Sequence, residues 1–380
     1  MEFMIVKKKF RQKQLFLLLL VLLIAIFSFE LSGCVKQKVK TKVKTSIKNL
    51  SKSKQTIKYY KLINPNGVYN GSALPLSIAI DAKGNVWVPS IEGIQELVKS
   101  DSSEYIIKSN PAINSYVGTM GFIILNNIAI GKNGNLYVNR AFLTKYNHSL
   151  TLLNIFNNSS SSPFAIDANG NIWDAVAGNE ELYEFNKNGT KKNMVFYNNN
   201  GYVTYSIAID ANRNIWLTNA NGTINIVNPS KLSKSVTINY KSETGNIPYD
   251  IAIGKNGNVW VTNFDVGTIT KLNSSGKVIN TYPLGKDATN AGSIAIDAKG
   301  NIWVTYKNLL NSHGIVVELK SKNGKIMKNY ILTKHFDPNA IAIDKNGNIW
   351  VAGVSIGEIA EIKSATNGKQ YFPYSGPQYP

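Results

Sequence analysis

The residues best suited to chemistry in this 380-residue chain are two histidines and two aspartates of its C-terminal half. His313, His335 and Asp265 fall in connections between predicted strands, and Asp250 opens one of those strands. A histidine held beside a carboxylate can remove a proton next to a carbonyl group, as a lyase requires, while a metal ion holds the substrate oxygen. Tyr306 is a further catalytic candidate. The alternative is that both histidines are isolated surface residues.

A second set of residues provides candidates for ligand binding. Two repeats end their second strand with Thr-Asn, whereas one has Asn-Arg and another places an aspartate where the others are apolar. We therefore expect ligand contacts from Arg140, Asp174, Asn219, Tyr249, Asp250 and Asn263. No nucleophile elbow, zinc-protease helix, C-x-x-C pair or phosphate-binding glycine loop appears in the sequence.

The elements that position these residues are repeats. Each tryptophan closes a phrase of the form I-A-I-D-x-x-G-N-[IV]-W, and a seventh copy has Tyr137 in its place. The alanines of successive phrases are separated by 50, 36, 43, 44, 43 and 47 residues. This spacing predicts an all-β chain folded as a seven-bladed β-propeller. The six tryptophans are assigned to its core, so a carbohydrate site would have to use tyrosines such as Tyr249 and Tyr306.

Each repeat reads as four short antiparallel strands, a to d. The fifth shows them as 250–253, 258–263, 268–272 and 277–284, joined by turns rich in Asn and Gly. The short a–b and c–d turns must share one face, so the longer b–c and d–a connections share the other. We expect this second face to be the binding surface. His148 lies in a c–d region, on the opposite face, where we expect a structural or solvated residue.

The repeated aspartates have two interpretations. D-A-N-G-N places oxygen-bearing side chains at alternate positions, as a calcium loop does. Gly131 and Gly254 replace the aspartate in two repeats, however, and an Asx-turn that caps each hairpin explains the aspartates without metal. We therefore expect no metal and no cofactor, with Mg²⁺ or Ca²⁺ needed only if the chain is a lyase or a lactonase.

The repeat phrase also carries a resemblance. P-x-x-I-A-I-D-x-x-G-N-I-W-V-T-N, followed by G-T-I-T-K-L-N-S-S-G-K-V, resembles NHL repeats and, more closely, those of the streptogramin B (virginiamycin B) lyase family. The resemblance covers nearly all of residues 56–375 and implies a seven-bladed propeller. Those lyases have a Glu and a His close together at the end of strand b, where this sequence has Thr305, Tyr306 and Asn308.

The N-terminal segment predicts export. A basic stretch precedes an apolar run over residues 15–29, and Leu31-Ser32-Gly33-Cys34 resembles the lipobox of bacterial lipoproteins. Cys34 is the only cysteine, so lipidation would leave no stray thiol. The alternative is an uncleaved anchor helix; either interpretation leaves the remainder on the extracytoplasmic side of the cell membrane.

The formal net charge of +19 is concentrated after the predicted cleavage site. Residues 36–54 contain eight lysines and no acid, which indicates a disordered tether attracted to anionic lipid head groups. The alternatives are a plain soluble spacer or contact with anionic wall polymers. We expect no nucleic-acid partner, because the aromatic residues are not interleaved with these lysines.

These patterns divide the chain into a signal peptide (1–33), a lipidated tether (34–55), the propeller (56–375) and a tail (376–380). Two segments, 56–63 and 369–374, could each supply the outer strand that closes the ring, and we favour the N-terminal one. The predicted function is a monomeric surface lipoprotein that binds an envelope protein, peptide or glycan. The alternatives are a carbon–oxygen lyase or lactonase, and a purely structural envelope protein.

Overall fold

The structure is a computed structural model and describes residues 57–62, 74–90, 93–99, 105–110, 127–139, 143–156, 163–176, 180–197, 201–231, 235–240, 247–285, 287–308 and 312–363. These residues form antiparallel β-sheets with one turn of 3-10 helix at Val354–Ile356. In the described part of the chain, no helix has the length and apolar character needed to span a membrane.

Seven sheets form the blades of a seven-bladed β-propeller, as the repeats predict. The strands of each blade are given from strand a to strand d. Blade 1 is β2–β5 (Ala79–Ile80, Val86–Ser90, Gly93–Lys99, Tyr105–Asn110), and blade 2 is β6–β9 (Asn127–Ile130, Leu136–Asn139, Leu143–Tyr146, Leu152–Phe156). Blade 3 is β10–β13 (Phe164–Ile166, Ile172–Val176, Glu181–Phe185, Lys191–Phe196). Blades 4 and 5 are β14–β17 (Thr204–Ile209, Ile215–Asn219, Ile224–Val227, Ser235–Ile238) and β18–β21 (Pro248–Ile253, Val259–Asn263, Thr268–Leu272, Val278–Pro283). Blade 6 is β23–β26 (Ile294–Ile296, Ile302–Asn308, His313–Leu319, Ile326–Lys334) with an extra short strand, β22 (Ala288–Thr289), and blade 7 contributes β27–β29 (Pro338–Ile343, Ile349–Gly353, Glu358–Ile362).

The ring is closed by the N-terminal strand. β1 (Ile57–Lys61) pairs antiparallel with β29 and becomes strand d of blade 7. The Tyr60 hydroxyl donates to Glu361 Oε2 at 2.8 Å, and its ring stacks on Trp350 with centroids 5.6 Å apart. This pairing confirms that the N-terminal segment closes the ring; residues 369–374 and the tail lie outside the described residues.

The repeated Ala and Trp residues form the core between blades. Ala208 lies directly opposite Trp216 in the pairing of β14 with β15. Both pack against Ile251 and Val259 of the next blade. The small side chain leaves room for the indole on the same sheet face, which explains the alternation of large and small residues in strand a.

The repeated aspartates organise the a–b turns. Asp210 Oδ1 accepts the backbone N–H groups of Asn212 and Asn214 at 2.9 and 2.8 Å. Its Oδ2 accepts the Asn214 amide at 2.8 Å and the Trp216 indole N–H at 3.2 Å. The turns that begin at Asp81, Asp297 and Asp344 repeat this set of bonds. The Asx-turn interpretation is confirmed, and these four aspartates also anchor the tryptophan of their own blade.

The a–b turn of blade 4 has an arginine where the other six blades have glycine. The fourth turn position is a left-handed glycine in the other six blades, with φ between +73° and +91°. In blade 4 that position is Arg213, with φ +66°, and its guanidinium lies 2.9 Å from Asp167 Oδ2 of blade 3. The arginine accepts an unfavourable backbone conformation and forms an ion pair between neighbouring blades.

Candidate functional site

The propeller has two different ends. We call the end with the b–c and d–a connections the loop face, and the end with the a–b and c–d turns the turn face. The a strands surround a central channel with a volume of about 490 Å³. Ligand sites in proteins commonly have volumes of this size.

One position of strand a forms a ring around the channel near the loop face. It lies two residues before the repeat alanine, and its seven occupants are Ser77, Asn127, Pro163, Ser206, Asp250, Ser293 and Ala340. Asp250 is the only charged residue among those lining the channel in the described part of the chain.

Both carboxylate oxygens of Asp250 are occupied by donors from three blades. Oδ1 accepts the Ser206 hydroxyl at 2.7 Å and the Ile251 backbone N–H at 2.9 Å. Oδ2 accepts the Ser293 hydroxyl at 2.8 Å and the Ile294 backbone N–H at 2.9 Å. These four donors occupy both oxygens and join blades 4, 5 and 6 through one side chain.

Three aromatic rings lie at the loop-face end of this channel. Tyr205 and Tyr249 each occupy the place three residues before the repeat alanine, and Phe264 follows the end of β19. The centroid distances are 5.3 Å between Tyr205 and Tyr249 and 5.0 Å between Tyr249 and Phe264. Tyr205 and Phe264 are both 40% exposed, and Tyr249 between them is half-buried. We call these three rings the aromatic platform.

The surroundings of the platform are apolar. Tyr202, Val203 and Val266 add large side chains that are 52%, 43% and 39% exposed on the same face. Burial, followed by the charge of Asp250, raises the pKa of Tyr249. Its hydroxyl group is therefore protonated at neutral pH and is able to donate a hydrogen bond to a ligand.

The structure does not bring the catalytic candidates together. His313 Nδ1 lies 2.8 Å from the backbone oxygen of Leu332, so this ring nitrogen donates to the β-sheet. His335 and Asp265 are both exposed. The ion pairs among the described residues are His148 with Asp81 and Glu96, Arg213 with Asp167, and Lys307 with Asp337. Neither His313 nor His335 pairs with Asp250 or Asp265.

Several predicted site residues lie inside the blades. Asp174 is fully buried in β11, and Tyr306 is 4% exposed in the core of blade 6. Asn219 is fully buried and donates to Asn225 Oδ1 at 2.6 Å; Asn263, equally buried, accepts the Tyr240 hydroxyl at 2.5 Å. These amides hold strands b and c together below the surface. Arg140 and Cys34 lie outside the described residues.

One group of side chains in the described ranges has the composition of a metal site. The possible ligand atoms of Asp81, Glu96 and His148 lie within 4.8 Å of one another on the turn face. Asp81 Oδ2 already accepts bonds from Asn85, Trp87 and His148. The ring of His148 also packs edge-on against Trp87, with centroids 5.1 Å apart. His148 joins blade 2 to blade 1 as Arg213 joins blade 4 to blade 3, so we assign the group a structural role, as expected for His148.

Sequence reasoning found Tyr249 and missed Tyr205 and Phe264. The signal was present for Tyr205, because two adjacent repeats carry tyrosine at the same place in strand a. Phe264 gave no such signal, because it follows strand b and meets Tyr249 through the pairing of β18 with β19 inside blade 5, while Tyr205 reaches Tyr249 from blade 4.

Comparison with known proteins identifies related sequences and folds. The sequence model of the family described as "Virginiamycin B lyase family" matches residues 150–373. A streptogramin B lyase structure aligns with a TM-score of 0.66 and 16% identity over 80% of this chain and 96% of that chain. Virginiamycin B lyase from Staphylococcus aureus aligns with a TM-score of 0.64 and 15% identity, over 80% of this chain and 99% of that chain. The catalytically inactive variant of that enzyme with quinupristin aligns with a TM-score of 0.64 and 16% identity over the same shares of the two chains. No curated protein sequence matches the chain. At these identities, the structural likeness establishes the fold alone.

Proposed function

The chain belongs to the virginiamycin B lyase family, and from this premise we propose that its propeller binds a peptide, protein or glycan of the cell envelope at the loop face. The aromatic platform is the observation that carries the proposal. The three rings lie beside the channel mouth and are tilted, by 52° between Tyr205 and Tyr249 and by 36° between Tyr249 and Phe264. They offer apolar ring faces and edges against which sugar rings or aromatic side chains can pack. The protonated hydroxyl of Tyr249 adds a directional polar contact.

The ligand meets a rigid surface. Tyr205 and Tyr249 lie on inner strands, and Thr218 donates to the Tyr249 backbone oxygen at 2.6 Å. The four bonds to Asp250 fix the adjoining backbone of blades 5 and 6. A preorganised surface loses little conformational entropy on binding, so a few rings can supply useful affinity.

Binding should depend on the platform and not on exposed apolar residues in general. We expect Tyr249→Ala and Phe264→Ala to weaken binding of soluble peptidoglycan fragments about tenfold or more, since each removes a stacking surface of about 1–2 kcal/mol. Isothermal titration calorimetry measures the change. Phe196→Ala is the matched control, because Phe196 is 61% exposed on strand d of blade 3, away from the channel. Equal affinity for the platform variants and wild type would exclude this surface as the binding site.

The second candidate function is a carbon–oxygen lyase, which the family match favours. The geometry of the channel argues against a lyase, because among the described residues no histidine lies beside the Asp250 carboxylate. We expect no ring opening of quinupristin above the buffer rate, with or without Mg²⁺. Chromatographic retention is the proper readout, because an elimination that opens a lactone ring leaves the mass unchanged. Opening that persists in the Tyr249→Ala variant would contradict the binding assignment and support a lyase.

Localisation follows from Cys34. We propose that this residue is lipidated and anchors the chain on the extracytoplasmic side of the membrane, which would present the propeller to envelope ligands. Cys34→Ala should then leave the precursor at its full length and unlabelled by radioactive palmitate in cells, with Cys34→Ser as a second variant of similar size. Normal processing of either variant would overturn the lipoprotein assignment.

A further inference from the structure

The two faces of the propeller differ in the sign of their exposed charge. In the part of the chain that the structure describes, the turn face exposes thirteen basic side chains, distributed over all blades: Lys83, Lys132, Lys187, Arg213, Lys231, Lys255, Lys277, Lys299, Lys320, Lys322, Lys325, Lys345 and Lys363. In the described ranges only two acidic side chains are exposed, Asp265 and Asp287, and both lie on the loop face.

The acids of the turn face are recessed. The repeat aspartates are held by the amides of their own turns, and the glutamates of the c strands bond inside the blades, as Glu184 does with Asn171 and Asn193. Among the described residues of this face, the exposed basic groups therefore outnumber the exposed carboxylates, with Arg213 paired to Asp167 and the amines of Lys132 and Lys345 bonded to backbone oxygens of neighbouring turns. By sequence, Asp101 and Glu104 belong to the one c–d connection that lies outside the described residues. A flat molecular surface that approached the described turn face would therefore meet mainly positive charge.

The chain enters the propeller at this same face. Ile57, the first residue of β1, lies opposite Ile362, the last residue of β29, and Lys363 follows at once. Strand β1 then runs toward the loop face, where Lys61 lies opposite Glu358. The lysine-rich segment 36–54 precedes Ile57 in the sequence. The described chain therefore enters its first strand at the turn face.

We propose that the turn face docks on the surface of an anionic phospholipid bilayer and holds the loop face away from it. Lysines within a Debye length of anionic head groups are attracted to them individually, and a planar array of exposed amines matches a planar negative surface. This inference is independent of the ligand of the aromatic platform. The proposal predicts that the affinity of the protein for an anionic bilayer depends on where the lysines lie and not only on their number.

The test uses the full chain and two variants with the same N-terminal segment. The turn-face variant carries Lys83→Gln, Lys299→Gln and Lys363→Gln, which lie in blades 1, 6 and 7. The control carries Lys61→Gln, Lys192→Gln and Lys334→Gln, which are equally exposed but lie outside the turn face. Both lose the same charge. Binding is measured by co-sedimentation with phosphatidylcholine vesicles, with and without phosphatidylglycerol.

The partition coefficient of the turn-face variant on phosphatidylglycerol vesicles should fall about tenfold or more, and that of the control by less than about twofold. High salt should remove the difference between the proteins. Equal losses in the two variants would overturn the proposal, since total charge alone would then govern binding; so would no loss in either. A selective loss of binding to soluble poly(glycerol phosphate), with vesicle binding unchanged, would overturn it in favour of an anionic polymer.

Discussion

Trp216→Ala should lower the free energy of unfolding by about 3–5 kcal/mol. The indole is fully buried between Ala208 of its own blade and the apolar residues of blade 5. Its removal leaves a cavity that the rigid sheets cannot fill, and it deprives Asp210 of the indole N–H at 3.2 Å. Urea denaturation of the full chain, followed by far-ultraviolet circular dichroism, measures the change.

Phe196→Ala serves as the control for this experiment, because its large side chain is 61% exposed. We expect the control to change stability by less than about 0.5 kcal/mol, as surface substitutions do. If Trp216→Ala lowered the free energy of unfolding by less than about 1 kcal/mol, the tryptophans of the repeat would not fill the core. They would then become candidates for ligand contacts.

Tyr60→Ala should weaken the closure of the ring and cost about 3 kcal/mol. Tyr60 lies on β1, which pairs with a single neighbour, β29, and the variant removes both the contact with Trp350 and the hydroxyl that Glu361 accepts. Glu361 is 3% exposed, so its carboxylate would lose a partner in a place that water hardly reaches. Hydrogen exchange of the β29 amides should accelerate with the loss of stability.

Tyr60→Phe separates the two contributions, because it keeps the ring on Trp350 and removes only the hydroxyl. We expect it to cost about 1–3 kcal/mol, since a buried carboxylate is left with one donor fewer. If β29 exchanges no faster in Tyr60→Ala than in the wild-type protein, β1 is held by its backbone bonds alone and the side chain does not secure the ring.

The fold could be predicted from the sequence because its signals are local and repeated. In blade 5 the predicted strands 250–253, 258–263, 268–272 and 277–284 agree with β18–β21 within two residues at each end. Turn residues, alternating apolar positions and the Asp-to-Trp spacing each act within a few residues, and seven copies reinforce them. Counting strands left two candidates for the closing strand, and the N-terminal one, favoured because it ties down an open edge, is the one that pairs with β29.

The site could be predicted only in part, because its contacts cross between blades. Asn219 and Asn263 end a strand, where a polar residue suggests a surface, yet the blade is deep enough there to bury both amides. Asp250 was predicted as a free ligand contact, whereas serines of the two neighbouring blades bind it. Blade spacing and tilt decide these contacts, and no local pattern encodes them.

The closing of the ring by β1 also sets the order in which the protein can be completed. The Tyr60 hydroxyl and its acceptor on Glu361 are 301 residues apart in sequence, so the first strand to be synthesised has no partner until the last blade exists. Contacts of such long range form slowly, because the whole intervening chain must first be ordered. A chain exported from its N-terminus would therefore cross the membrane with its ring still open. For such an exported chain, the propeller would be completed only on the far side, once β1 and β29 had both arrived there.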